Sequence, residues 1–165
     1  DNLVIGWLSA IPYLLAAVFM LLAGRSADLR KERRWHLCVP ILMCALGLTL
    51  TGLQPQSPLW VMAGLAIAGM GASSALPMFW QLPPAFLSNS SQAAGIALIN
   101  SFGNLGGYIG PFGIGALKEY TGTLSSGLYF LAAVMLSGVV LTYIVYTPLE
   151  KKASAARNTA LSQPS

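Results

Sequence analysis

Between Leu37 and Leu117 the chain carries no Asp, Glu, Lys or Arg. Few folds tolerate so long a stretch without charge, because a soluble domain is typically about one quarter charged and needs that charge at its surface. Here only 8% of the 165 residues are charged and 55% are hydrophobic, with a mean hydropathy of +0.66. A charge at the middle of a bilayer costs roughly 2.5–3.5 kcal/mol on insertion scales, so lipid is the solvent that demands this pattern. The chain is expected to be an all-α integral membrane protein.

Five apolar stretches approach the length needed to cross about 30 Å of hydrocarbon. They run over residues 3–23, 37–53, 59–79, 94–117 and 127–147. Small polar residues dominate 148–165, which is expected to be a disordered tail. The basic residues fix the orientation. Arg25, Arg30, Lys31, Arg33 and Arg34 follow the first span, and Lys151, Lys152 and Arg157 follow the fifth. With five spans these fall on one side and Lys118 on the other. The positive-inside rule makes the basic side cytoplasmic, with the N-terminus outside and the C-terminus inside. Trp60, Tyr120, Tyr129, Tyr143 and Tyr146 lie near span ends and suit an interfacial belt.

Several function classes fall away. Basic clusters beside apolar runs, with no interleaved aromatics or glycines, do not form a nucleic-acid reader. Cys38 and Cys44 are six apart, match no metal motif, and read as small apolar residues of a span. No nucleophile–base pair or metal cluster appears, so an enzyme and a cofactor are not expected. The chain begins with Asp1 and shows no cleavable leader, which predicts an internal fragment of something longer.

Two segments carry chemistry. In "GRSADLRKERRWH" (24–36), Gly24 suits a tight turn that would fix Asp28 to accept hydrogen bonds from a neighbouring helix N-terminus or from an Arg. In "FWQLPPAFLSNSSQAAGIALINSFGNLGG" (79–107), Pro83 and Pro84 interrupt a helix, since neither donates a backbone hydrogen bond. Ser88 or Asn89 offers a cap for the helix that follows, with Gln92 close behind. Trp80 and Asn100 lie ten residues either side of Ser90. A helix kinked but continuing past the prolines would place both at equal depth, facing one cavity. Along the second arm, Asn100, Asn104, Tyr108 and Pro111 share one face. Gly103, Gly106, Gly110 and Gly113 make another, bare enough for close helix approach. Tyr13 beside Pro12 is a further candidate for lining the cavity. His36 reads as a headgroup contact rather than a proton relay.

"GRSADLRKERRWH" resembles the cytoplasmic loop signature of the major facilitator superfamily, with Leu29 standing where Arg is usual and Lys31 where Gly is usual. That segment, with "FWQLPPAFLS" and "AAGIALINSFGNLGGYIGP", is similar to the anion:cation symporter branch. The resemblance spans residues 1 to about 147 and implies helices eight to twelve of a twelve-helix transporter, an incomplete six-helix half. It implies a proton-coupled symporter of organic anions such as tartrate, phthalate or sugar acids, in a cell inner membrane. Trp80 would pack on the substrate and Asn100 would hydrogen-bond it, with Asn104 beside it as a further hydrogen-bonding candidate; Tyr13 lines the same cavity or serves a helix contact. Gly24, Asp28, Arg33 and Arg34 would form a cytoplasmic gate. The predicted spans hold no titratable carboxylate or histidine for proton coupling. The resemblance assigns that group and a substrate-pairing Arg to the missing N-terminal half. The competing expectation is a membrane subunit or degenerate remnant that does not transport.

Overall fold

A computed structural model describes residues 2–30, 33–88 and 90–161, with side chains described over 10–30, 34–84, 87–88 and 90–146. Helices make up every regular element among the described residues: α1 Asn2–Arg30, α2 Arg33–Leu53, α3 Pro58–Trp80, the single turn α4 Pro83–Phe86, α5 Gln92–Thr121 and α6 Leu124–Leu161. The chain is an all-α membrane protein.

Four of the long helices are apolar and long enough to cross a bilayer, over Ala10–Arg30, Arg34–Leu53, Pro58–Trp80 and Leu124–Tyr146. The fifth expected span, α5, has the length at 30 residues, about 45 Å at 1.5 Å per residue. Its Asn100, Ser101 and Asn104 and its glycines lower its hydropathy below that of the others. The helix read as cavity-lining is therefore the one least suited to lipid alone.

Packing follows membrane rules. Large side chains face outward, with Leu21 at 69% and Leu141 at 62% exposure, while the buried positions are mostly small: Ala16, Ala27, Cys38, Cys44, Ala45, Ala68, Ser74 and Ala132. Lipid tails match leucine in polarity, so helices associate where small residues let backbones close. The α2–α3 crossing shows this directly. A Cβ added to Gly47 would meet the backbone of Ala68 and Gly64. One added to Gly71 would meet the Pro40 carbonyl and lie 2.5 Å from the Cys44 nitrogen. Around this crossing α1 packs on α3, and α6 packs on both α2 and α5. Threonine hydroxyls inside the spans return their protons to their own helix. Thr51 Oγ1 donates to the Gly47 carbonyl at 2.9 Å and Thr142 Oγ1 to Gly138 at 2.8 Å, which satisfies them without a partner across the bilayer.

One local expectation is corrected. Gly24 does not make a turn: α1 stays helical through Arg30, and the sole positive φ among the described glycines is Gly122 at 73°, closing α5. A helical Gly costs about 1 kcal/mol against Ala, which the flanking Ala, Leu and Arg residues readily offset. Past the last span α6 continues to Leu161, as Ala-rich "SAARNTAL" favours helix. Of the belt aromatics, Trp60, Tyr120, Tyr129 and Tyr143 stand exposed, Tyr129 also covering Gly52, and Tyr146 is buried in the bundle.

Candidate substrate site

The α3–α5 connection is built by its prolines. In a continuous helix the Phe79 carbonyl would accept from residue 83, but Pro83 has no N–H. Leu82 takes that carbonyl instead at 3.0 Å, and Gln81 bonds Met78 at 3.3 Å. The helix tightens and ends at Trp80, so the arms are separate helices rather than one kinked rod. The Trp80 carbonyl meets the same situation, since its helical donor would come from Pro84. It is thereby available as an acceptor at the end of α3.

After α4, the start of α5 is set by Ser88. Its carbonyl accepts from the Ser91 and Gln92 amides, both at 2.9 Å. Ser91 occupies the cap position and makes no side-chain cap bond. Ser88 thus anchors the helix through its backbone while its hydroxyl bonds Ser91 Oγ at 2.8 Å. Asn89 lies outside the described residues.

Beyond this turn α3 and α5 diverge without packing on one another, and α5 returns to the bundle through α6, where Gly113 faces Phe130 and Gly127 faces Ile114. The divergence leaves a cleft of about 560 Å³ whose walls include Phe79 and Trp80 from α3 and Leu98, Asn100, Phe102 and Gly103 from α5. Trp80 and Asn100, singled out for their symmetric placement about Ser90, therefore line one cavity. Phe79 supports the indole edge-on, with ring centroids 5.6 Å apart and planes 73° apart, the T-shaped geometry aromatic pairs favour. Besides the indole N–H of Trp80 the lining is otherwise apolar, so the Asn100 amide is the one side chain there that offers a polar ligand group both donors and an acceptor.

Asn104 is exposed on α5 one turn further on and is not in that lining. Tyr13 is 79% exposed on α1 and does not share the cleft. Sequence reasoning missed Phe102 and Phe79 as walls, although Phe102 falls two positions from Asn100. Polarity drew attention to the amide and away from the ring beside it.

Gly24 and Asp28 lie together in a second cleft, of about 690 Å³, where α1 faces Pro77 and Met78 of α3 and Gln81 just beyond it. Arg34 does not join Asp28. Its guanidinium lies 5.3 Å from the Trp35 ring and 5.2 Å from the Tyr143 ring, cation–π contacts that tie the start of α2 to α6. Side-chain placement of Arg33 lies outside the described residues.

The family model of the Major Facilitator Superfamily matches residues 1–164. A quinolone resistance transporter of Acinetobacter baumannii is 48% identical over 96% of this chain and 36% of its own length. A protein of Agrobacterium vitis, provisionally named a tartrate transporter, is 41% identical over 86% of this chain and 31% of its own. The inner membrane transport protein RhmT of Escherichia coli is 33% identical over 82% and 31%. No solved structure matches. The chain spans about a third of the length of these curated relatives. With its helices, its outward-facing apolar surface and a family match along nearly its whole length, this multi-pass membrane chain belongs to the major facilitator superfamily.

Proposed function

We propose that the chain forms the uncharged wall of the substrate cavity in a proton-coupled symporter of organic anions, of the tartrate-, phthalate- or sugar-acid-like kind. The observation that carries this reading is the shared cleft of Trp80 and Asn100, two helices apart in sequence yet facing one space of ligand size. The indole offers a flat apolar surface. The amide offers donors and an acceptor without charge, and the Trp80 carbonyl adds an acceptor for a substrate hydroxyl. Asn104 and Tyr13, outside the cleft here, join it when the helix bundles rock around the substrate in alternating access. The membrane is a cell inner membrane, with the chain's N-terminus outside and its C-terminus in the cytoplasm.

Charge comes from elsewhere in the transporter. A bound anion needs a cation, and coupling needs a titratable group inside the membrane; the described spans offer neither at this cleft. The N-terminal half supplies both. Gly24 and Asp28 of α1, with Arg33 and Arg34 of α2, form the cytoplasmic gate, and Arg34 exchanges its aromatic seat for the Asp28 side as the gate changes state.

The test is substrate binding to the complete transporter in lipid nanodiscs against a panel of carboxylates. Trp80→Ala and Asn100→Ala each weaken binding of the preferred acid while leaving thermal stability intact. Unchanged affinity in both removes the site. The resistance relative favours a second reading, an aromatic acid of quinolone type stacked on Trp80, Phe79 and Phe102. The same panel decides between them, since only the aromatic acid loses more to Trp80→Ala than to Asn100→Ala. Uptake absent for every acid, with binding also absent, favours the non-transporting subunit.

A further inference from the structure

A third cleft, of about 540 Å³, opens between α1 and α2 on the side away from Asp28. Phe19, Leu22, Ala23, Ser26 and Arg30 line it from α1, and Trp35, His36, Val39 and Pro40 from α2. Both helices grade from polar to apolar in the same direction. On α1, Arg30 and Ser26 stand at the basic end, with Leu22 about 6 Å and Phe19 about 10 Å deeper than Ser26. On α2, Trp35 and His36 stand at the same end, with Val39 and Pro40 about one turn deeper. Ser26 Oγ lies 3.0 Å from His36 Nε2, which bridges the two helices at the rim. Arg30 gives that rim a positive charge, in a stretch of sequence, 30–34, with four basic residues and one acidic one.

We propose that this cleft is a binding site for one anionic phospholipid, with its phosphate at Arg30, Ser26 and His36 and an acyl chain along Leu22, Phe19 and Val39. A soluble anion has no use for the apolar floor, and an apolar molecule has none for the basic rim. A phospholipid matches both ends in the order the helices present them. Trp35 sits where an indole suits the headgroup boundary, and a basic rim selects anionic over zwitterionic headgroups. The site is separate from the Trp80–Asn100 cleft and shares no lining residue with it.

Native mass spectrometry of the full chain in detergent, supplied with phosphatidylglycerol or phosphatidylcholine, tests the assignment. One phosphatidylglycerol is retained per chain, and phosphatidylcholine is retained about fivefold less. Arg30→Gln, an exposed position that tolerates the change, lowers phosphatidylglycerol retention about fivefold. Leu22→Trp, which fills the apolar floor, lowers it comparably. Arg25→Gln, on the opposite face of α1 in the Asp28 cleft, leaves it unchanged. Equal retention of the two lipids, no effect of Arg30→Gln or Leu22→Trp, or an equal loss with Arg25→Gln overturns the proposal. So does thermal protection by inorganic phosphate that matches that of phosphatidylglycerol, which would make the rim a simple anion site.

Discussion

Asn100 holds the sharpest chemical question at the scale of single residues. Its amide faces a cleft walled by Phe79, Trp80, Leu98 and Phe102, so whatever polar group enters there depends heavily on it. Removing one hydrogen bond to a ligand costs roughly 0.5–1.5 kcal/mol, and more when the ligand group is charged. Asn100→Ala is therefore expected to raise Kd for an organic acid about tenfold or more where the amide meets the carboxylate. Asn100→Asp has nearly the same shape but sets a carboxylate against the substrate's own. For an anionic substrate it is expected to bind worse than Asn100→Ala at pH 7, in calorimetry on the complete transporter. The reverse order would mean that the ligand is neutral or cationic and would end the organic-anion reading. Trp80 is tested differently, because its contribution is area. Trp80→Phe keeps a ring and is expected to retain most of the affinity that Trp80→Ala loses.

Among the elements, the α2–α3 crossing is the tightest joint. Gly47, Gly64 and Gly71 each meet backbone or the Thr51 hydroxyl where a Cβ would go, whereas Gly69 on the same helix α3 meets nothing within 4 Å. Overpacking a close-fitted contact costs about 1–3 kcal/mol, while Gly→Ala in an open helical site gains about 0.5–1 kcal/mol. Gly71→Val should lower the midpoint of thermal unfolding in detergent, and Gly69→Ala should hold or raise it. Equal behaviour of the two would show that the crossing does not limit stability. None of these three glycines stood out in the sequence, where the crowded "GNLGGYIGPFGIG" of α5 drew the packing assignment instead. Yet no Cβ at Gly103, Gly106, Gly107 or Gly110 would meet anything within 4 Å. A glycine pattern identifies a bare face but not what approaches it, because helix neighbours are set by distant chain. The apolar runs and the Pro83–Pro84 break were legible because each depends on local chemistry alone. So was the pairing of Trp80 with Asn100, through their equal distance from the turn. Gly24 misled, since one glycine among good helix formers does not stop a helix.

For the whole molecule, α5 is the element that asks for more protein. It contains no buried residue, carries a glycine face with nothing against Gly103, Gly106 or Gly110, and presents Tyr108 and Phe112 as an exposed stacked pair, 6.2 Å apart with planes within 10°. Lipid could cover the aromatic pair, but Asn100, Ser101 and Asn104 are poorly served by acyl chains. The curated relatives are about three times as long as this chain, so the transporter we propose has other helices to meet that face. The isolated chain should then insert in vesicles without saturable uptake, because on the proposed reading it supplies one wall of the cavity and leaves the coupling group to the rest of the transporter. Gly106 separates the two situations within one substitution. In the isolated chain Gly106→Leu enters open space, and its effect on stability should stay within about 0.5 kcal/mol. In the complete transporter the same leucine would stand in a helix contact that must also slide during alternating access, so uptake should fall at least tenfold while the protein still reaches the membrane. Paired measurements of unfolding in the short chain and uptake in the long one decide the point. A leucine harmless in both would mean that the glycine face of α5 looks into lipid, and that the cavity is closed by some other surface.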